Sequence, residues 1–103
     1  MTLREAAEAF IDGIKDGSVR SRKGERYKPS AIRGYERTLR LRVLPVLGAM
    51  RLSEIERRHV QALADDLVAQ GLAPATVLNY LDPLRAIFRR AVRREEVAVN
   101  PTA

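Results

Sequence analysis

Arg33, Arg37 and Arg40 recur at i, i+4 and i+7 in a stretch with a helical pattern, which aligns three guanidinium groups along one ridge. Such a ridge suits phosphate, and an arginine fork can also pair bidentately with guanine in a major groove. Ser30, just ahead of them, is a plausible N-cap, and Lys28 closes the basic loop that precedes it. Thr76 falls in the first turn of a later helical pattern, and Asn79, whose amide could pair with adenine, follows about a turn on. A helix start offers free N–H groups and the positive end of the dipole, a natural phosphate site. Two such starts, each carrying a hydroxyl, make the pairing of Ser30 with Thr76 the leading constellation. The competing reading is ordinary capping with solvated arginines. The candidate DNA-binding set is therefore Lys28, Ser30, Arg33, Arg37, Arg40, Thr76 and Asn79.

Other chemistry finds little material. There is no cysteine, so neither a disulfide framework nor a thiolate metal site can form. The lone histidine, His59, has no carboxylate cluster around it and reads as an exposed helix residue. Tyr27, Tyr35 and Tyr80 have no acid/base partner, and the helical spacing of Tyr35 with Leu39 sends it toward a core. No catalytic residue, metal or cofactor is expected. No apolar run approaches the ~18 residues of a membrane span, and no secretion signal opens the chain. A cytoplasmic, nucleoid-associated location is the expectation.

The formal net charge of +6 is unevenly spread: residues 15–42 carry +7, residues 1–14 carry −2, residues 43–71 carry −1 and residues 72–103 carry +2. A concentrated basic block points to a polyanion partner. The bland alternative is a solvated basic surface, since Arg outnumbers Lys 16 to 3 throughout.

Four amphipathic helical patterns must position these residues, and no strand-like alternation competes with them. The first spans about Leu3 to Ile14, with Thr2 and Glu5 as a capping box and Gly13 and Gly17 marking its end. Leu3, Ala6, Ala7, Phe10, Ile11 and Ile14 are its apolar stripe. A basic loop over residues 15–29 follows, long enough to be either functional or a disordered linker. The second pattern runs from Ser30 to about Val43, with Ile32, Tyr35, Leu39 and Val43 on one face, and Pro45 and Gly48 are expected to stop it. The connection should pack through Leu44, Val46, Leu47, Leu52 and Ile55. The third spans about Arg57 to Gln70, with Val60, Leu63, Ala64, Leu67 and Val68 inward, Asp65 and Asp66 outward and Gly71 as C′. The fourth opens on Pro74 and reaches about Arg94, with Val77, Leu81, Leu84, Phe88, Ala91 and Val92 inward. Pro83 lies inside it and predicts a kink, unless Asp82 caps a fresh helix there.

The chain order Leu44-Pro45-Val46-Leu47-Gly48, Leu52, Ile55, then Gly71-Leu72-Ala73-Pro74-Ala75-Thr76-Val77, then the run from Leu84 to Arg94 and finally Val97 and Asn100-Pro101 resembles the core-binding domain of tyrosine recombinases, the phage-integrase family. The resemblance implies an all-α, four-helix SAM-like bundle over residues 1–103. It implies one jaw of a C-shaped clamp, gripping duplex DNA through the second and fourth helices. It places Ser30, Arg33, Arg37, Thr76 and Asn79 at the DNA. It also implies that the catalytic domain lies beyond residue 103, so that this part of the chain is not itself an enzyme. Implied partners are double-stranded DNA and, in a full-length protein, other recombinase protomers; the isolated domain is expected to be a monomer, with no membrane partner. Three positions depart from the family pattern. Ala31 stands where the family usually has Thr, Ala73 where it has Ser or Thr, and Glu95-Glu96 near a usual Gly. Two rival readings are a helical protein-interaction module with a basic face and a stand-alone DNA-binding integrase remnant.

Overall fold

The four apolar stripes close on one another in a computed structural model that describes residues 1–103. The order is α1 (Leu3–Asp16), α2 (Pro29–Thr38), a π-helical segment (Leu39–Val43), α3 (Leu44–Leu47), a 3-10 turn (Leu52–Glu54), α4 (Arg57–Ala69) and α5 (Pro74–Arg93). There is no sheet, only one isolated bridge between Thr2 and Arg51. A single core of 21 buried apolar residues draws on every helix except α2, whose Ile32 and Tyr35 pack at its margin. Val46 and Val68, expected inside, are instead about half exposed, at 53% and 54%. Val68 lines an open groove between α4 and the start of α5 rather than the closed core.

The capping box of α1 forms as the sequence predicts. Thr2 Oγ1 accepts from the Glu5 N–H at 3.2 Å, and Glu5 Oε1 accepts from the Thr2 N–H at 2.8 Å. These bonds to Thr2 also hold the Glu5 carboxyl below its ordinary pKa. The Leu3 and Arg4 N–H groups donate to Met50 and Gly48 carbonyls, which ties the start of α1 to the α3–α4 connection. α1 runs to Asp16 rather than Ile14, and Gly13 is interior rather than terminal. Its lack of a side chain serves packing: a Cβ there would collide with Val19, which folds back and donates its N–H to the Gly13 carbonyl.

The second helix departs furthest from expectation. Lys28, not Ser30, is the N-cap, and Pro29 takes the first helical position. Pro45 does not stop it. The Leu44 N–H reaches back five residues to the Leu39 carbonyl, and helical structure continues to Leu47. The wider π turn lies just ahead of Pro45, where a proline in a regular α-helix would clash with the carbonyl four residues earlier. α5 likewise runs unbroken through buried Pro83, so Asp82 caps no new helix and instead pairs with Arg85 at 3.2 Å.

α4 and α5 end in the same way. After α4, the N–H of Gly71, in a left-handed conformation (φ +90°), bonds the Val68 carbonyl, and the Leu72 N–H bonds that of Leu67. After α5, Glu95 and Glu96 make the equivalent bonds to Val92 and Ala91, but the left-handed residue is Glu95, at φ 60°. A side chain with Cβ pays strain there that glycine does not. Glu95→Gly is therefore expected to stabilise the fold by about 0.5–1 kcal/mol, the relieved strain exceeding the greater chain entropy of glycine. Urea denaturation would show it, and a lowered midpoint would refute it.

Candidate nucleic-acid interface

The loop over residues 15–29 is anchored to the helices at both ends. The Ser21 N–H donates to the Glu25 carbonyl at 2.8 Å and the Gly24 N–H to that of Ser21 at 2.9 Å, closing a tight turn with Arg22 and Lys23 at its tip. Arg26 Nη2 donates to the Lys15 carbonyl at 3.0 Å. Tyr27 then packs edge-on to Phe10, with ring centroids 6.2 Å apart, and lies 5.7 Å from the Tyr35 ring. An aromatic trio thus pins the end of the loop and the start of α2 onto α1. Burial, seconded by the nearby Tyr27 and Asp82, raises the Tyr35 pKa, which keeps its phenol protonated.

Lys28, Ser30, Arg33, Arg37 and Arg40 are all exposed along α2 and its π continuation. None of the four basic residues among them makes an ion pair; Lys15 takes Glu36, the one acidic side chain of α2, at 3.2 Å. Arg40, however, borders the groove between α1 and α2 in company with Glu8 and Asp12. Those carboxylates offset its charge, so the strongest free cations of the ridge are Arg33 and Arg37.

Thr76 is half-buried and Asn79 exposed on the first turns of α5, whose N-cap, Ala73, supplies no side-chain bond. The two helix starts do not come together. Tyr27, just ahead of α2, shares a cleft with Ala86, Arg89, Arg90 and Arg93 in the second half of α5. Arg42, at the far end of the same helical run, lies over the Tyr80 ring at 5.5 Å. The two helices therefore run roughly antiparallel. Ser30 lies at the Tyr27 end of this run, about 18 Å of helix rise from Arg42, which meets the N-terminal half of α5.

The basic side chain that reaches the N-terminal half of α5 is instead Arg42, whose Nη1 donates to Gln70 Oε1 at 2.7 Å while the guanidinium covers Tyr80. The π segment carries Arg42 into this position between the end of α4 and the start of α5. The surface has a further basic part absent from the candidate set: Arg20 and Arg22 of the loop meet Arg89, Arg90 and Arg93 of α5 in one cleft. The arginine pairs near the end of α5 were visible in the sequence, but Glu95 and Glu96 dilute their segment to +2. Their pairing with the loop is non-local. His59 is also more than a surface residue: its Nδ1 accepts from the Glu56 N–H at 2.9 Å and helps cap α4.

The family model described as phage integrase, N-terminal SAM-like domain, matches residues 20–68, which run from the loop through α2 and α3 into α4. α5 lies outside the match. No curated protein matches the chain. Among solved structures, the integrase-like domain from Bacillus cereus, determined by solution NMR, superposes with a TM-score of 0.81. It shares 22% sequence identity, over 99% of this chain and 79% of that one. At that identity the superposition establishes the fold: an all-helical bundle of the integrase-like kind. No helix is long and apolar enough to cross a membrane. Residues 20–68 are thus similar to the N-terminal SAM-like domain of phage integrases, and the chain as a whole has the fold of an integrase-like domain.

Proposed function

We propose that this chain is the DNA-gripping domain of a site-specific tyrosine recombinase or integrase, holding core-site duplex through α2 and α5 during DNA integration or recombination. One observation carries the reading: Arg33 and Arg37 stand exposed and without ion pairs on α2, inside the segment that matches the integrase family. An unpaired guanidinium keeps its five donors for phosphate or for a guanine edge. Lys28 and Ser30 extend that contact toward the first turn of α2, and Arg40 contributes less because Glu8 and Asp12 border it. Thr76 and Asn79 form a second contact, next to the Arg42–Tyr80 stack. The strand-cleaving chemistry of such a recombinase belongs to a separate catalytic domain.

Replacing Arg33 and Arg37 together by Ala is expected to weaken duplex binding by about tenfold or more and to make its salt dependence shallower by about two units. Stability should change by less than about 0.5 kcal/mol, as for other exposed substitutions. Fluorescence anisotropy with a short duplex and a thermal melt measure both. Retained binding with a sharply lowered Tm would make these arginines structural and refute the reading.

A further inference from the structure

We infer that Arg20, Arg22, Arg89, Arg90 and Arg93 form a phosphate pocket that takes a backbone phosphate of duplex DNA, at the other end of α5 from Asn79. The inference rests on the DNA-binding reading and adds to it a site on a different part of the surface.

The cleft is narrow, about 20 Å³, so that a phosphate would sit across its mouth; it is lined by these five arginines and by Phe10, Val19, Tyr27 and Ala86, with no acidic residue among them. Arg20 is held in place by its Nε, which donates to the Gly17 carbonyl at 2.8 Å and leaves its two terminal nitrogens free. Arg22, Arg89, Arg90 and Arg93 take part in none of the four ion pairs of the molecule. Other arginines nearby are satisfied within the protein: Arg26 by the Lys15 carbonyl, Arg42 by Gln70 and Arg85 by Asp82. The cleft thus gathers five guanidinium groups without a carboxylate partner, apart from the free arginines of the α2 ridge.

Collecting like charges against an apolar wall is unfavourable unless an anion joins them. Arg90 registers that cost: partial burial, and then the adjacent Arg94 and Arg93, lower its pKa, and only Glu96 opposes them. The α5 dipole favours cations at its C-terminal end, which accounts for Arg90 and Arg93. It does not account for Arg20 and Arg22, which arrive from the loop after α1. A phosphate fits this geometry because its oxygens can accept from several guanidinium forks converging from different directions. By helical phase, Arg93 falls on the same flank of α5 as Asn79, about 21 Å further along. A duplex lying along that flank would meet both, with α2 between them.

The test uses the full 103-residue chain and fluorescence anisotropy with unrelated 20-base-pair duplexes across a range of NaCl concentrations. Wild type is compared with Arg22→Gln/Arg93→Gln and with Arg33→Ala/Arg37→Ala. The pocket variant is expected to bind about tenfold more weakly at low salt, to the same extent for every sequence, with a log–log slope shallower by about 0.9, the value for one lost phosphate contact. In wild type, the Arg90 Nε–Hε NMR signal should shift on addition of duplex, a readout independent of how well the variant folds. An unshifted Arg90 signal, or a pocket variant that binds like wild type while the α2 variant binds weakly, overturns the pocket and leaves the DNA reading standing. The opposite pattern, with only the pocket variant weakened, keeps the pocket and overturns the α2 ridge. A folded wild type that binds no duplex at low ionic strength overturns both.

Discussion

Raising NaCl from about 50 to about 200 mM is expected to weaken duplex binding by this chain about 250- to 1,000-fold. The molecule is 36 Å in its longest dimension, about ten base pairs of duplex at 3.4 Å each. A contact of that length on one side of a duplex engages a limited number of phosphates, about four to six. Each neutralised phosphate releases condensed counterions, which gives a log–log slope of about −4 to −5, and a fourfold rise in salt then yields the stated loss. The cations to make such contacts are present and unpaired: Arg33 and Arg37 on α2, and the arginines that converge between the loop and α5. Titration at several ionic strengths gives the slope directly. A slope near zero would mean that the basic surface does not meet phosphates, and would favour an acidic protein surface as the partner of the α2 ridge.

Phe88→Ala is expected to cost on the order of 3–5 kcal/mol. Phe88 is fully buried on α5, at 0% exposure, in the same core as Phe10 and Ile14 of α1, Leu39 of the π segment and Leu63 of α4. Truncation loses the transfer energy of the ring and leaves a cavity that several helices would have to move together to fill. A domain of this size has about 5–15 kcal/mol of stability in all, so the variant would be partly unfolded or close to it at room temperature. Phe88→Leu, which keeps most of the volume, should cost much less. Urea denaturation of both variants measures the effect. A near-normal midpoint for the alanine variant would mean that the site collapses freely, contrary to its place in the shared core.

The same residue illustrates what was legible without coordinates. The spacing from Val77 through Leu81 and Leu84 to Phe88 states a buried face directly, because helical period and apolar side chains are local properties. The capping box of Thr2 and Glu5, the glycine after α4 and the proline opening α5 are likewise local chemistry, readable within a few residues. Ser30 does not cap α2, because the first-turn preference of Pro29 outweighs the capping preference of serine one position later. Pro45 does not end the helical run, because the penalty of a helical proline assumes α-geometry, and the π turn ahead of it changes that geometry.

The helices, most of their ends, the inward face of each and the location of the basic excess are thus written in the order of residues along the chain. Which charges become neighbours is set by how the helices dock. That docking runs α2 antiparallel to α5, separates the two helix starts that look like a pair in the sequence, sets Arg42 over Tyr80, and folds the Arg20–Arg22 loop onto the arginines of α5. The physical reason is range. Helical periodicity and capping act over a few residues and leave their pattern in the chain. The docking of α2 and the loop on α5 depends on packing among Phe10, Tyr27, Tyr35 and Ala86, which are far apart in sequence and meet only when the core closes.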